Sequence, residues 1–187
     1  MKSFTGTDAI RSGVEVSEVL KRTDLEQSFD RLLAANGAAL ARLAASYTNT
    51  ASDRDDLLQE VAMALWQALP RFRGECSERT FLFRIATNRA IAYLARTTSH
   101  RLTGEEIDLH DPRPDPEASL AEEQRVEGLR RAIHRLPLVY RQAITLSLEG
   151  LGYAEIAEVL GISETNVGAR LSRARQILRE MLEVTNG

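Results

Sequence analysis

The sequence predicts an all-α protein of two small helical domains joined by a flexible acidic linker. Three observations predict it. Apolar residues recur at spacings of three and four through most of the chain. The segment 102–124 carries the acids Glu105, Glu106, Asp108, Asp111, Asp115, Glu117, Glu122 and Glu123 against the single base Arg113, a net charge of −7. It also holds Pro112, Pro114 and Pro116, so it cannot bury a core. Hydrophobic content is 43%, enough for packed cores, and aromatic content is only 5%. A chain of 187 residues suits one or two small domains.

The elements follow in order. Residues 1–23 are polar and mixed, and read as a mobile N-terminal extension that can hold a short helix. From Leu25 a helical pattern begins, with Phe29, Leu32, Leu33, Leu40, Leu43 and Ala44 on its apolar side. The run "TNTASD" interrupts it, and Ser52 or Asp53 is expected to cap the next helix. That helix, about 54–69, carries a stripe of Leu57, Leu58, Val61, Ala62, Leu65 and Leu69. Pro70 and Gly74 break the chain. A third helix, about 77–96, buries Phe81, Leu82, Ile85, Ala86, Ala90 and Leu94. These helices form a first domain, 24–97, and residues 98–124 form the linker. A second domain, 125–183, opens on Leu129, Ile133 and Leu136. Pro137 fits the first turn of a helix that stops at Gly150. "YAEIAEVLG" puts Tyr153, Ile156, Ala157 and Leu160 on one face. Ser163 then caps a last helix whose inner face is Val167, Leu171, Ala174 and Leu178, with Met181 or Leu182.

The last two helices have the layout of a helix-turn-helix: a short helix ending at Gly161, a tight turn, and a second helix opening at a capping serine. In the DNA-binding version the start of the second helix enters the major groove. The outward residues there are Glu164, Thr165, Asn166, Gly168, Ala169, Ser172 and Arg173, small or polar enough for close approach to base edges. Arg170, Arg173 and Arg175 can reach guanine edges or phosphates. A helical hairpin with a merely solvated charged face is the plain alternative.

The formal net charge is −3, so total charge does not advertise a nucleic-acid binder, and local charge has to carry that argument. Between positions 71 and 101 the bases Arg71, Arg73, Arg79, Arg84, Arg89, Arg96 and Arg101 outweigh Glu75 and Glu78, a net +5. Phe72, Phe81, Phe83 and Tyr93 are interleaved with them. Basic groups beside exposed rings suit single-stranded nucleic acid, whose unstacked bases lie against aromatic faces. The helix before this stretch has an outer face of Asp55, Asp56, Gln59, Glu60 and Met63, with Trp66 at its boundary. That surface suits a protein partner rather than DNA.

Other classes find little support. His100, His110 and His134 are scattered, and the lone Cys76 forms neither an internal disulfide nor, without several histidines nearby, a metal site. No catalytic constellation, cofactor or metal is expected. Residues 1–20 lack the continuous apolar run of a signal peptide or membrane span, so a cytoplasmic protein is expected.

Three stretches carry a resemblance. "DRDDLLQEVAMALWQALPRFRGE" and "RTFLFRIATNRAIAYLAR" resemble domain two of the bacterial RNA polymerase sigma factors. The run from "LRRAIHRLPLVYRQ" to "LSRARQILREML" resembles sigma domain four. Their order and spacing are those of the small extracytoplasmic-function (ECF) group. The resemblance implies a promoter-specificity subunit with no catalysis of its own. Asp55, Asp56, Leu57, Gln59, Glu60, Met63 and Trp66 would dock on the β′ clamp helices of core polymerase. Arg73, Phe83, Arg84, Asn88 and Arg89 would hold the melted −10 element, with Asn88 near a flipped base. Thr165, Asn166, Gly168, Ala169, Arg170, Ser172 and Arg173 would read the −35 element, and the outside of the same domain would touch the β flap. The two elements lie about two helical turns apart, ~70 Å. An anti-sigma protein is a further implied partner.

The chain departs from the family pattern at three places. Gly168 stands where many relatives carry a base, Gly152 where a capping serine is common, and Phe81 where tryptophan is frequent. The alternative function is a conventional helix-turn-helix regulator that binds duplex DNA without polymerase. It leaves the basic, ring-bearing stretch of the first domain unexplained.

Overall fold

The computed structural model describes residues 7–102 and 120–185, and all of them that fall in regular structure are helical. There are seven α-helices among them: α1 (Thr7–Ala45), α2 (Ala51–Ala68), α3 (Glu78–Leu102), α4 (Leu120–Arg135), α5 (Leu138–Leu148), α6 (Tyr153–Leu160) and α7 (Glu164–Thr185). A single 3₁₀ turn, Leu69–Arg71, follows α2.

The boundaries have local causes. Thr50 caps α2, its Oγ1 accepting from the Asp53 N–H at 3.0 Å, so neither Ser52 nor Asp53 is the cap. Pro137 is the residue before α5 rather than within it. Gly150 and Gly161 take the left-handed φ values +81° and +65° that end α5 and α6, a conformation costly for residues with a Cβ. Ser163 Oγ accepts from the Asn166 N–H at 3.3 Å and opens α7. Two expected limits differ. α1 runs back to Thr7 through most of the segment read as a mobile extension. α3 continues to Leu102 and α4 starts at Leu120, so helix enters both ends of the predicted linker, while 103–119 lie outside the described residues.

α1, α2 and α3 pack pairwise around Leu40, Leu43, Leu57, Val61, Leu65, Leu82, Phe83 and Ala86, each nearly or fully buried. A second group, α4 to α7, closes around Leu136, Leu146, Ile156, Val167, Leu171 and Ala174. Burying a leucine- or phenylalanine-sized side chain contributes about 1.5–3 kcal/mol, and the two groups join in one continuous apolar cluster. The stripes read from the sequence supply most of both cores. Tyr153 does not join them: it is 44% exposed.

The halves also meet. α6 packs on α3 of the first domain and on α7 of its own. Arg42 of α1 donates two N–H groups to the Glu149 carboxylate, at 2.9 and 2.6 Å. The Arg141 guanidinium lies over the Tyr47 ring, 5.9 Å from its centroid. Burial pushes the Tyr47 hydroxyl well above its ordinary pKa, so it stays a phenol.

Candidate nucleic-acid and polymerase interfaces

The helix-turn-helix presents the first half of α7. Thr165, Asn166, Ala169, Ser172 and Arg173 are exposed, and Gly168 and Arg170 are half-buried. Val167, Leu171 and Ala174 anchor the opposite face with no exposure, so the outward register is fixed by the core. Asn166 Oδ1 accepts from Arg170 Nε at 2.9 Å, and Arg173 donates to Gln176 Oε1 at 2.8 Å. Both guanidiniums are therefore held along the helix surface with donors to spare for an incoming acceptor. A Cβ on Gly168 would sit 3.6 Å from Tyr153 Cε2, an ordinary contact. The glycine is not demanded by packing, and Tyr153 forms the wall beside it. Gly152 N–H donates to Glu155 Oε2 at 2.9 Å, which holds the start of α6 without a capping serine.

The α3 surface is different. Arg73, Asn88 and Arg89 are exposed, but Arg84 is half-buried and donates to Glu158 of α6 at 2.9 Å. Phe83, expected as a ring for bases, has no exposure and belongs to the core. Its neighbour Phe81 is the half-buried one, its ring 4.6 Å from that of Phe72. The expected assignment of core and surface to these two rings is thus reversed. The Arg79 guanidinium covers the Phe83 ring at 5.4 Å and donates to the Glu149 carbonyl oxygen. Cys76 sits beside the Arg84–Glu158 pair. Burial, and after it the nearby Glu158 charge, push its thiol up, so it is no thiolate at neutral pH.

On α2, Asp55, Asp56, Gln59 and Met63 are exposed, Met63 by 64%. Glu60 is held by Arg96 at 2.6 Å. Trp66 is half-buried, its ring edge-on to Phe29 at 5.3 Å. Leu57 has no exposure and cannot touch a partner as this surface stands. Its apolar register with Val61 and Leu65 already places it inside. The contacts between halves, above all Glu149, Arg42 and Glu158, were not among the residues singled out from the sequence. Arg42 and Glu149 stand 107 positions apart, and no local pattern joins them. Among the described residues no group of three or more His, Cys, Asp or Glu is placed to hold a metal, and no helix is long and apolar enough to cross a membrane.

The architecture is a helix-turn-helix with one uncovered polar face, packed on a three-helix group that bears a basic helix. Residues 32–100 match the sigma-70 region 2 family, and residues 127–178 match the sigma-70 region 4 family. The chain belongs to the RNA polymerase sigma factors, within their ECF group. It is 32% identical over 164 residues to the RNA polymerase sigma factor NccH of Alcaligenes xylosoxydans xylosoxydans, covering 84% of this chain and 88% of that protein. It is 30% identical over 165 residues to the ECF RNA polymerase sigma-E factor of Escherichia coli (strain K12), covering 82% and 85%. A solved structure of CnrH in complex with the cytosolic domain of CnrY is similar, with a TM-score of 0.64 and 29% identity over 85% of this chain and 90% of that one. The fold is also that of the sigma factor RpoE solved with the anti-sigma factor NepR from Bartonella quintana, with a TM-score of 0.69 and 24% identity, covering 86% and 98%. Function in transcription initiation as a sigma factor follows, in preference to a free-standing regulator.

Proposed function

We propose that this sigma factor divides its work among three surfaces. The exposed start of α7, with Thr165, Asn166, Arg170, Ser172 and Arg173, reads the −35 element in the major groove. Gly168 and Ala169 admit close approach there. The α3 surface, with Arg73, Arg84, Asn88 and Arg89, holds the melted −10 strand. The α2 face of Asp55, Asp56, Gln59, Glu60, Met63 and Trp66 docks on the β′ clamp helices of core polymerase, and the outside of the second domain meets the β flap. The domains divide as 24–97 and 125–183. The chain carries no catalysis of its own, acts in the cytoplasm, and is a target for an anti-sigma protein of the kind solved with CnrH and RpoE.

The observation that carries the reading is the register of α7: its apolar side is sealed in the core while a small, polar, arginine-bearing side is left uncovered. The exposed acidic α2 face supports a protein partner on the other domain. Run-off transcription with core polymerase and genomic promoter fragments tests it. New, discrete start sites are expected only when the protein is added. Absence of new starts, together with a shift of duplex DNA by the protein alone, would overturn the reading.

A further inference from the structure

We infer that Arg96 is a further phosphate contact on α3, held by Glu60 in the free chain and released when a basic group of core polymerase takes that carboxylate. The inference rests on the proposed division of labour, with α2 on polymerase and α3 on the melted strand. Arg96 Nη2 donates to Glu60 Oε1 at 2.6 Å. The pair joins the two surfaces. Asp56, Glu60 and Met63 follow one another at spacings of four and three, so Glu60 stands in the middle of the α2 face. Asp55 on that face is paired within its own helix, to Arg54 at 3.3 Å. Glu60 instead reaches across to α3.

On α3, Arg89 and Arg96 are both exposed and stand seven residues apart. Seven residues make just under two turns, so the two side chains leave the helix on one face, about 10.5 Å apart along its axis. A nucleic-acid strand advances about 3.4 Å per nucleotide, so that spacing spans about three of its phosphates. Ala92, one turn from each arginine, is too small to block a strand laid along this line. Arg96 thus has the charge and the place of a backbone contact, and Glu60 neutralises that charge while the pair holds.

The pair is suited to exchange. Its side chains are 50% and 37% exposed and meet through one hydrogen bond rather than a bidentate fork. An exposed pair of this kind contributes little, so breaking it costs about fivefold at most in an equilibrium constant, and less at high salt. A carboxylate on an exposed acidic face is what a cationic group of a protein partner engages. Once it does, Arg96 is left beside Arg89 with its charge uncompensated. Linkage makes the coupling reciprocal: polymerase strengthens the grip on DNA, and DNA strengthens the grip on polymerase.

Two titrations test this with the full-length chain. In the first, reconstituted holoenzyme binds a promoter fragment whose −10 segment is pre-melted, over a series of salt concentrations. Arg96→Ala is expected to weaken binding and to lower the log–log salt slope by about 1, as the loss of one phosphate contact does. Arg89→Ala is the control for the α3 surface and should lower it similarly. In the second, the fluorescently labelled chain is titrated with core polymerase. Arg96→Ala should bind up to about fivefold more tightly at low salt, because Glu60 no longer leaves a partner, while Arg89→Ala should match wild type. Arg96→Gln should repeat both results, and in a Glu60→Gln background Arg96→Ala should leave core affinity unchanged. A slope that falls for Arg89→Ala but not for Arg96→Ala would overturn the inference and leave α3 as the DNA surface. Slopes unchanged by both would overturn that reading, and the inference with it. Weaker core binding by Arg96→Ala would mean that the pair orients Glu60 rather than giving it up, and would also overturn the inference.

Discussion

The α7 and α3 surfaces are built from the same materials, but part of the second is engaged by the other half of the molecule. Each offers arginines and small polar groups along one side of a helix whose other side is sealed by apolar residues. On α7 the arginines are tied only to neighbours on their own helix, Arg170 to Asn166 and Arg173 to Gln176. On α3 two donors are spent on the other half of the molecule, Arg84 on Glu158 and Arg79 on Glu149, while Arg73, Asn88 and Arg89 stay exposed. A basic helix is therefore not by itself an available DNA surface. Availability is set by what packs over it, and here the covering element is the first helix of the helix-turn-helix itself.

The strongest way to break the comparison is to remove the core behind α7. Leu171→Ala, at a site with no exposure, is expected to destabilise the second domain by about 2–5 kcal/mol. Trp66, the sole tryptophan, lies in the first domain. Thermal or urea unfolding followed by circular dichroism and by the Trp66 fluorescence measures the loss, and an unchanged midpoint would contradict it. Next in size, Arg173→Ala should weaken promoter binding by the holoenzyme by about 1–3 kcal/mol with relaxed base preference, read by gel shift against altered −35 sequences. Gly168→Ala sharpens the comparison in the other direction. It adds a methyl group in ordinary contact with Tyr153 and should raise stability by about 0.4–1 kcal/mol in thermal unfolding.

Glu127 on α4 is not among the residues proposed to read DNA and provides the smallest effect. The Arg130 guanidinium bonded to it, at 2.6 Å, lowers its carboxyl pKa against the opposing effect of burial. A lowered folded-state pKa means that the stabilisation is present above the ordinary value of 4.5 and is lost as pH falls through the folded value. The side chain is 38% exposed, so Glu127→Gln should cost only about 0.2–0.5 kcal/mol at neutral pH and nothing once Glu127 is protonated. Urea titrations at the two pH values check this.

What could be read from the sequence was what short-range physics decides. The stripes of α2 and α7, the left-handed stops at Gly150 and Gly161 and the Ser163 cap all follow from spacing and residue type. Three failures have physical causes. "TNTASD" holds several competent caps in a row, and only the backbone geometry at Thr50 selects among them. Phe81 and Phe83 are two positions apart, hence on opposite sides of a helix, and a flanking pattern that permits either phase cannot say which ring is inside. The start of α1 has no apolar stripe to announce it. The pairing of Arg79 and Arg84 with the second half was beyond reach altogether, because it joins residues far apart in the chain, and a half-buried arginine reads in sequence like a solvated one.

The most direct test of this contrast is arginine labelling of the free full-length chain with phenylglyoxal, followed residue by residue by mass spectrometry. The account predicts that Arg173 reacts readily while Arg79 and Arg84 are protected, and that Glu149→Gln with Glu158→Ala brings all three to similar rates. Arg79 and Arg84 reacting as fast as Arg173 in the wild-type chain would contradict it.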